Sequence, residues 1–302
     1  KAYALYKSYL ENPPALLNIK PEVKKTRKPI LQNTATPITF YFLILCTLIF
    51  FADSLLSPEF KTGSGSQAVE PLYTSPVKKE LLYDFPKAYE IMAELILQFG
   101  ADQKAFSQEL VQKLNETPYW QGFYEMLVSG RSLHAPLFEK IGQGQIWRLF
   151  SPILLHGDIF HLLFNMIWLY VLGMQLERHM GTVRYLSFIL LTAAFTNTAQ
   201  YLMSGPSFLG FSGVLCAMIT YVYVRQRVAP WEGYQLQKST FAFIMLFIFG
   251  MFALQLIAFL LRMTTGEELG ISIANTAHIS GAAIGVLLGI TPFFINEKSG
   301  LR

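Results

Sequence analysis

Pro37-Ile-Thr-Phe-Tyr-Phe-Leu-Ile-Leu-Cys-Thr-Leu-Ile-Phe-Phe-Ala52 lies inside a stretch that carries no charge between Lys28 and Asp53. A helix needs roughly 20 apolar residues to cross about 30 Å of hydrocarbon, and this run supplies them. Further runs of this kind fill 185–230, interrupted only by Arg225 and Arg227, and then 239–261 and 269–296. Across the 302 residues, 52% are hydrophobic and only 15% charged. Soluble domains carry about a quarter charged residues, so the balance points to lipid. Six spans are expected, at about 37–56, 158–176, 185–204, 211–228, 239–261 and 274–295. The fold class is therefore an all-α polytopic membrane protein.

Loop charges orient the spans. Residues 1–36 hold Lys1, Lys7, Lys20, Lys24, Lys25, Arg27 and Lys28 against Glu11 and Glu22. Arg178 and Arg184 follow the second span; Arg225, Arg227 and Lys238 follow the fourth. The 205–210 loop has no basic residue, and 262–273 has only Arg262, beside Glu267 and Glu268. Positive-inside bias then puts both termini in the cytoplasm, as an even span number requires. The net charge of +4 is spread along the chain as topology signals, so no nucleic-acid partner is expected. Cys46 and Cys216 sit in separate apolar spans, which argues against a disulfide framework or a zinc site. The chain starts at Lys1, so a preceding targeting segment is compatible with it.

The organisation expected is a basic inner segment at 1–36, a first span at 37–57, a long outer connection at 58–157, and the remaining five spans at 158–302. The outer connection is too long for a simple loop. It opens with the flexible Lys61-Thr-Gly-Ser-Gly-Ser-Gln67 and continues with helical patterns at 78–99, broken near Pro86, then 103–115 and 118–129. It reads as a helical insertion resting on the membrane surface or on the bundle.

Lipid makes polar side chains expensive, so those inside spans stand out. His161 and Asn165 share one helix face a turn apart; Ser212 lies in Gly210-Phe-Ser-Gly213; His278 lies about one turn into the last span. The second, fourth and sixth spans run in the same direction. All four residues therefore fall at similar depth near the outer face, where they can meet around water. A serine hydroxyl needs a base to become a nucleophile, and histidine is best tuned for that near neutral pH. Attack on a peptide carbonyl creates an oxyanion, for which Asn165, His161 and the Ser212 backbone N–H offer donors. No acid suits a third member, since Asp158 reads as the N-cap of the second span and Asp53 ends the first. A Ser–His dyad is expected, with neither metal nor cofactor. Gly281, Gly285 and Gly289 follow His278 at spacings that let the sixth span pack closely on the fourth.

Each feature has a plainer reading alone. Ser212 could be a helix-start serine, His278 an interhelical hydrogen-bonder, and His161 with Asn165 packing glue. Trp147 and Arg148 read as a structural anchor of the outer connection, and His156 as structural or as a substrate contact. Glu177 and Arg184 are expected to pair or cap at the inner turn. Asn197, Gln200 and Gln255 are expected to hydrogen-bond between helices, while His134 and His179 look solvated.

Together the motifs resemble the rhomboid proteases from about residue 144 to 288. The likeness rests on Trp147-Arg148, on His156-Gly-Asp-Ile-Phe-His161-Leu-Leu-Phe-Asn165, on Glu177 with Gly181, Arg184 and Tyr185, on residues 210–213, and on Ala277-His278 with Gly281 and Gly285. The resemblance implies a six-helix bundle of bacterial type, with its active site opening outward into a water-filled dip. It implies Ser212 and His278 as the catalytic dyad, His161 and Asn165 as oxyanion support, and single-span membrane proteins as substrates. Two departures stand out: Cys216 occupies a position where bacterial members often have tyrosine, and the outer connection is long. A client-binding relative without activity, and a small transporter, are the competing classes; no Asp or Glu lies mid-span to serve the latter. Residues 262–273, with Gly266 and Gly270, are expected to cap the site.

Overall fold

The computed structural model describes residues 35–58, 72–100, 106–129, 135–265 and 274–291. The basic N-terminal stretch through Lys28, the glycine- and serine-rich residues 61–67, His134, and Gly266 and Gly270 of the expected cap lie outside the described residues. Among the described residues the fold is helical without strands.

Helix α1, Pro37–Leu56, starts with proline in its first turn. Its open N–H groups are closed from far away, by the Glu177 carboxylate accepting from Ile38 N at 3.0 Å and Thr39 N at 2.9 Å. The insertion between the first and second expected spans follows as α2, Pro76–Leu81; α3, Lys87–Phe99; α4, Gln108–Asn115; α5, Phe123–Ser129; and α6, Glu139–Gly142. The helical pattern expected over 78–99 splits as Pro86 dictates, into α2 and α3. The pattern expected over 118–129 becomes helical only from Phe123.

The insertion rests on the bundle. Tyr83, Trp120, Tyr201 and Phe208 form one buried cluster, and Trp120 Nε1 donates to Tyr201 O at 2.9 Å. Asp84 ties this region together, accepting from Glu139 N and Lys140 N at the start of α6 and from the Tyr201 hydroxyl. Asp53, at the end of α1, accepts from Ser75 Oγ and pairs with Lys78 Nζ at 3.1 Å.

Two 3-10 turns, Ile146–Leu149 and Ser151–Leu154, lead to α7, Ile159–Met180, which contains a π turn over Leu169–Gly173. Asp158 caps α7, its carboxylate accepting from Phe160 N and His161 N at 2.8 and 2.9 Å. The helix continues past the expected end near 176 until Gly181, whose φ of 83° turns the chain into α8, Thr182–Ser204. Hydropathy marks where apolar residues stop, while the turn glycine marks where the helix stops. After an irregular segment come α9, Ser212–Val228; α10, Lys238–Thr265; and α11, Asn275–Ile290.

By length and composition, α1, α7 and α10 are long and apolar enough to cross a membrane. Helix α11 is apolar but shorter. Helix α9 is the bundle's axis, with Val214, Ala217, Met218, Tyr221 and Val222 fully enclosed. The outward faces are apolar instead: Phe160 on α7 and Leu246 on α10 are 80% and 72% exposed. That is the inverse of a water-soluble bundle.

Candidate active site

The segment before α9 cannot be helical, because Gly205 and Gly210 both adopt positive φ, 73° and 119°. Gly210 N donates to Pro152 O at 3.0 Å, which pins this segment against the second 3-10 turn. Ser212 is thus delivered as the first residue of α9. Its Oγ is hydrogen-bonded to Nε2 of His278 at 2.8 Å.

That approach depends on the seam between α9 and α11. A Cβ on Gly281 would fall on the Gly213 carbonyl oxygen, and one on Gly285 would fall on that of Ala217. At Gly213 a Cβ would crowd Thr196 and Ala277. The Thr220 hydroxyl donates across the seam to Ala282 O at 2.9 Å. Close backbone contact of this kind is what small residues permit between helices in lipid.

The N-terminus of α11 is fixed from two other helices. Gln200 of α8 accepts from Ala277 N at 2.8 Å, beside His278. Asn275 Nδ2 donates to Met251 O and to Gln255 Oε1 of α10, at 2.9 and 2.7 Å. Gln200 and Gln255 link helices as expected, and Asn197 links α8 to Leu149 O of the first 3-10 turn. Cys216, one turn after Ser212, is buried in the seam, with its Cβ near where a Gly281 side chain would begin.

His161 and Asn165 converge on Gly210. A Cβ there would lie 2.8 Å from His161 Nε2 and 3.8 Å from Asn165 Nδ2. Asn165 is fully buried, and neither amide atom has a partner among the described residues. An unpartnered buried amide is costly, so it marks a place for a further polar group. The buried His156 ring stands edge-on to His161, 5.1 Å between centroids. Burial, and then the neighbouring His161, pushes the His156 imidazole down to about 3, so it is neutral near pH 7.

His278 Nδ1 likewise has no hydrogen-bond partner among the described residues. Within them no group of three or more His, Cys, Asp or Glu side chains is arranged to hold a metal ion. The arrangement contains a serine hydroxyl, a base in contact with it, and unspent donors beside the strand leading to it. It can carry out acyl transfer.

Trp147 and Arg148 lie away from this cluster. Arg148 donates to Leu82 O and Lys79 O at 2.7 and 2.8 Å, and Trp147 Nε1 donates to Glu80 O at 3.1 Å. They close the open carbonyls at the end of α2. Glu177 does not pair with Arg184 at the inner turn; it caps α1. His179 is a correction: it is buried and stacked on Tyr234, 4.3 Å between centroids. Nothing local in the sequence marks Asp84 and Tyr201, because their partners are 55 and 117 residues away in the chain.

Comparison with known proteins finds relatives of this chain. The rhomboid domain model matches residues 143–293, half of the chain. The chain is 38% identical over 144 residues to the rhomboid protease GlpG of Yersinia pestis (strain Pestoides F) and to that of Yersinia pseudotuberculosis serotype O:3 (strain YPIII). It is 37% identical over 144 residues to the protein of that name from Yersinia enterocolitica. Each match covers 48% of this chain and 47% of the relative, so the chain spans about half the length of the curated relatives it matches.

Proposed function

The chain belongs to the rhomboid family, and on that premise we propose that it is an intramembrane serine endopeptidase that cuts membrane-protein substrates. Ser212 is the nucleophile and His278 the general base. The observation that carries the reading is the 2.8 Å contact between them, made across a glycine seam in an otherwise apolar bundle.

The reaction runs as two acyl transfers. His278 Nε2 takes the Ser212 proton as Oγ bonds to the scissile carbonyl carbon, and the carbonyl oxygen becomes an oxyanion. His161, Asn165 and the Ser212 backbone N–H donate to that oxygen. His278 then passes the proton to the leaving amine as the C–N bond breaks. Water, deprotonated by His278, attacks the acyl carbon; the C–Oγ bond then breaks, Ser212 Oγ takes the proton back from His278, and the new carboxyl terminus leaves. Nδ1 of His278 keeps its proton throughout, as a dyad without an acid requires.

Helices α1, α7, α8, α9, α10 and α11 are read as the six spans, and the end bearing Arg178, Arg184, Arg225, Arg227 and Lys238 as the cytoplasmic one. This is the arrangement of a multi-pass protein of a bacterial inner membrane, with Ser212 near the outer face. Its substrates are single-span membrane proteins with locally unstable helices.

The test compares wild type with Ser212→Ala, each incubated in detergent with a fluorescent fluorophosphonate and a model single-span substrate. Labelling and cleavage by wild type alone are expected. A wild type that neither labels nor cleaves, yet still binds the substrate helix, would make this a client-binding protein instead. Asn165→Ala is expected to lower kcat by about 10²-fold with little change in KM, as loss of a transition-state contact does. A change confined to KM would remove Asn165 from the oxyanion role.

A further inference from the structure

At the end of the bundle opposite Ser212, a cavity of about 380 Å³ opens between the second half of α7 and the segment joining α9 to α10. Its size lies within the range of small-ligand sites. One wall is apolar and faces outward: Tyr170 and Val171 are each 49% exposed, and Met174 continues the row. Tyr170 and Val171 belong to the π turn of α7. A π turn adds a residue to one turn of helix and shifts the register of the side chains around it.

The floor is polar and held in place. Gln175 exchanges hydrogen bonds with the backbone of Gln235. His179 lies against Gln175 O through Nδ1 and stacks on Tyr234. Arg178 completes the floor, and no carboxylate lines the cavity. Its Nε is buried without a partner among the described residues.

Two cations of the same end are already engaged: Arg225 is paired with Glu232 at 2.8 Å, and Arg227 lies 3.4 Å over the Tyr223 ring. Arg178 therefore brings a positive charge to a cavity lined by no carboxylate, beside an apolar wall at the end of a membrane-crossing helix. An anion with a hydrocarbon tail satisfies both surfaces at once.

We propose that this cavity is a binding site for an anionic phospholipid, with the phosphate on Arg178 and an acyl chain along Tyr170, Val171 and Met174. The site is separate from Ser212 and does not depend on the protease reading. The recognised chemistry is an anionic phosphate oxygen, which inorganic phosphate also offers, so the tail decides between the two.

The test is native mass spectrometry of the full chain, stripped of lipid in detergent and titrated with phosphatidylglycerol, phosphatidylcholine or inorganic phosphate. Phosphatidylglycerol is expected to bind the wild type best. Arg178→Gln is expected to weaken it on the order of fivefold, and Arg178→Lys to restore most of the loss. Val171→Trp, which leaves the guanidinium in place and fills the wall, is expected to weaken it as well, so the proposal stays testable should Arg178→Gln fail to fold. Equal binding of phosphatidylglycerol to wild type, Arg178→Gln and Val171→Trp would overturn the site. Binding of inorganic phosphate as tight as that of the lipid would overturn the lipid as its occupant.

Discussion

Helices α10 and α11 are neighbours in the chain, yet they are held by opposite means. Helix α11 lies on α9 with backbone nearly touching backbone at Gly281 and Gly285. Helix α10 is longer, at 28 residues, and of these only Ile244 and Ile248 are buried, both in its first half. Beyond them it is joined to the rest by Asn275 of α11, by Phe259 against Tyr124, and by an ion pair of Arg262 with Glu125. The difference teaches where precision is needed. A hydroxyl and an imidazole must stay within a few tenths of an ångström of reactive geometry, and close-packed backbone provides that. A helix that faces lipid on most of its surface gains little from tight packing and keeps freedom to shift.

Breaking the seam gives the largest effect. Gly281→Val puts a branched side chain onto the Gly213 carbonyl, and no flexible neighbour can yield. Destabilisation by about 3 kcal/mol and loss of fluorophosphonate labelling are expected. The matching change in α10 is Gly250→Ala, where a Cβ meets no heavy atom within 4 Å. There a gain of about 0.5–1 kcal/mol is expected, from helix propensity alone. Thermal unfolding of the two variants in detergent reads both; similar Tm shifts would dissolve the contrast.

The seam was legible in the sequence because its cause is local. Glycines at 281, 285 and 289 announce a bare helix face, and His278 stands one turn before it. Asp158 too was legible, since a cap bonds to its own next residues. What the sequence hid were the tertiary partners that no bare helix face or intramembrane polar residue announces. Glu177 looked like a residue of its own turn, but it closes a helix 138 residues earlier. His179 looked solvated because its neighbours are Arg178 and Met180, whereas Tyr234, which covers it, arrives from another segment. The insertion showed its helices by periodicity and left its resting place open between membrane surface and bundle, because Tyr83, Trp120 and Tyr201 are ordinary aromatics until they meet.

Two of the ion pairs that tether helices rank among the next effects. Lys78→Ala leaves Asp53 buried and uncompensated where α1 meets α2, and about 3 kcal/mol of stability is expected to go. A loss under about 1 kcal/mol would mean that water reaches Asp53. Next in size is His156. Unfolded, it takes up a proton near pH 6.5; folded, it resists until about 3. Its contribution is therefore complete above pH 6.5 and is lost as pH falls toward 3, by up to about 1.4 kcal/mol per pH unit. Comparing Tm of wild type and His156→Gln from pH 7 to 5 isolates this slope, and parallel curves would show His156 free to ionise in the fold.

The smallest effect should come from the outer tether of α10. Arg262 and Glu125 are each 23% exposed at the side chain, so water and salt share their interaction. Glu125→Gln is expected to lower stability by only about 0.5 kcal/mol, and by less at high ionic strength. The labelling rate of Ser212 should change little, because the seam holds Ser212 and His278 without help from that end of α10. Hydrogen exchange over 249–265 should nevertheless rise, since local opening follows local contacts. A fall in Ser212 labelling as large as that from Gly281→Val would show that α10 is part of the rigid frame, and that its sparse packing conceals a coupling through Asn275.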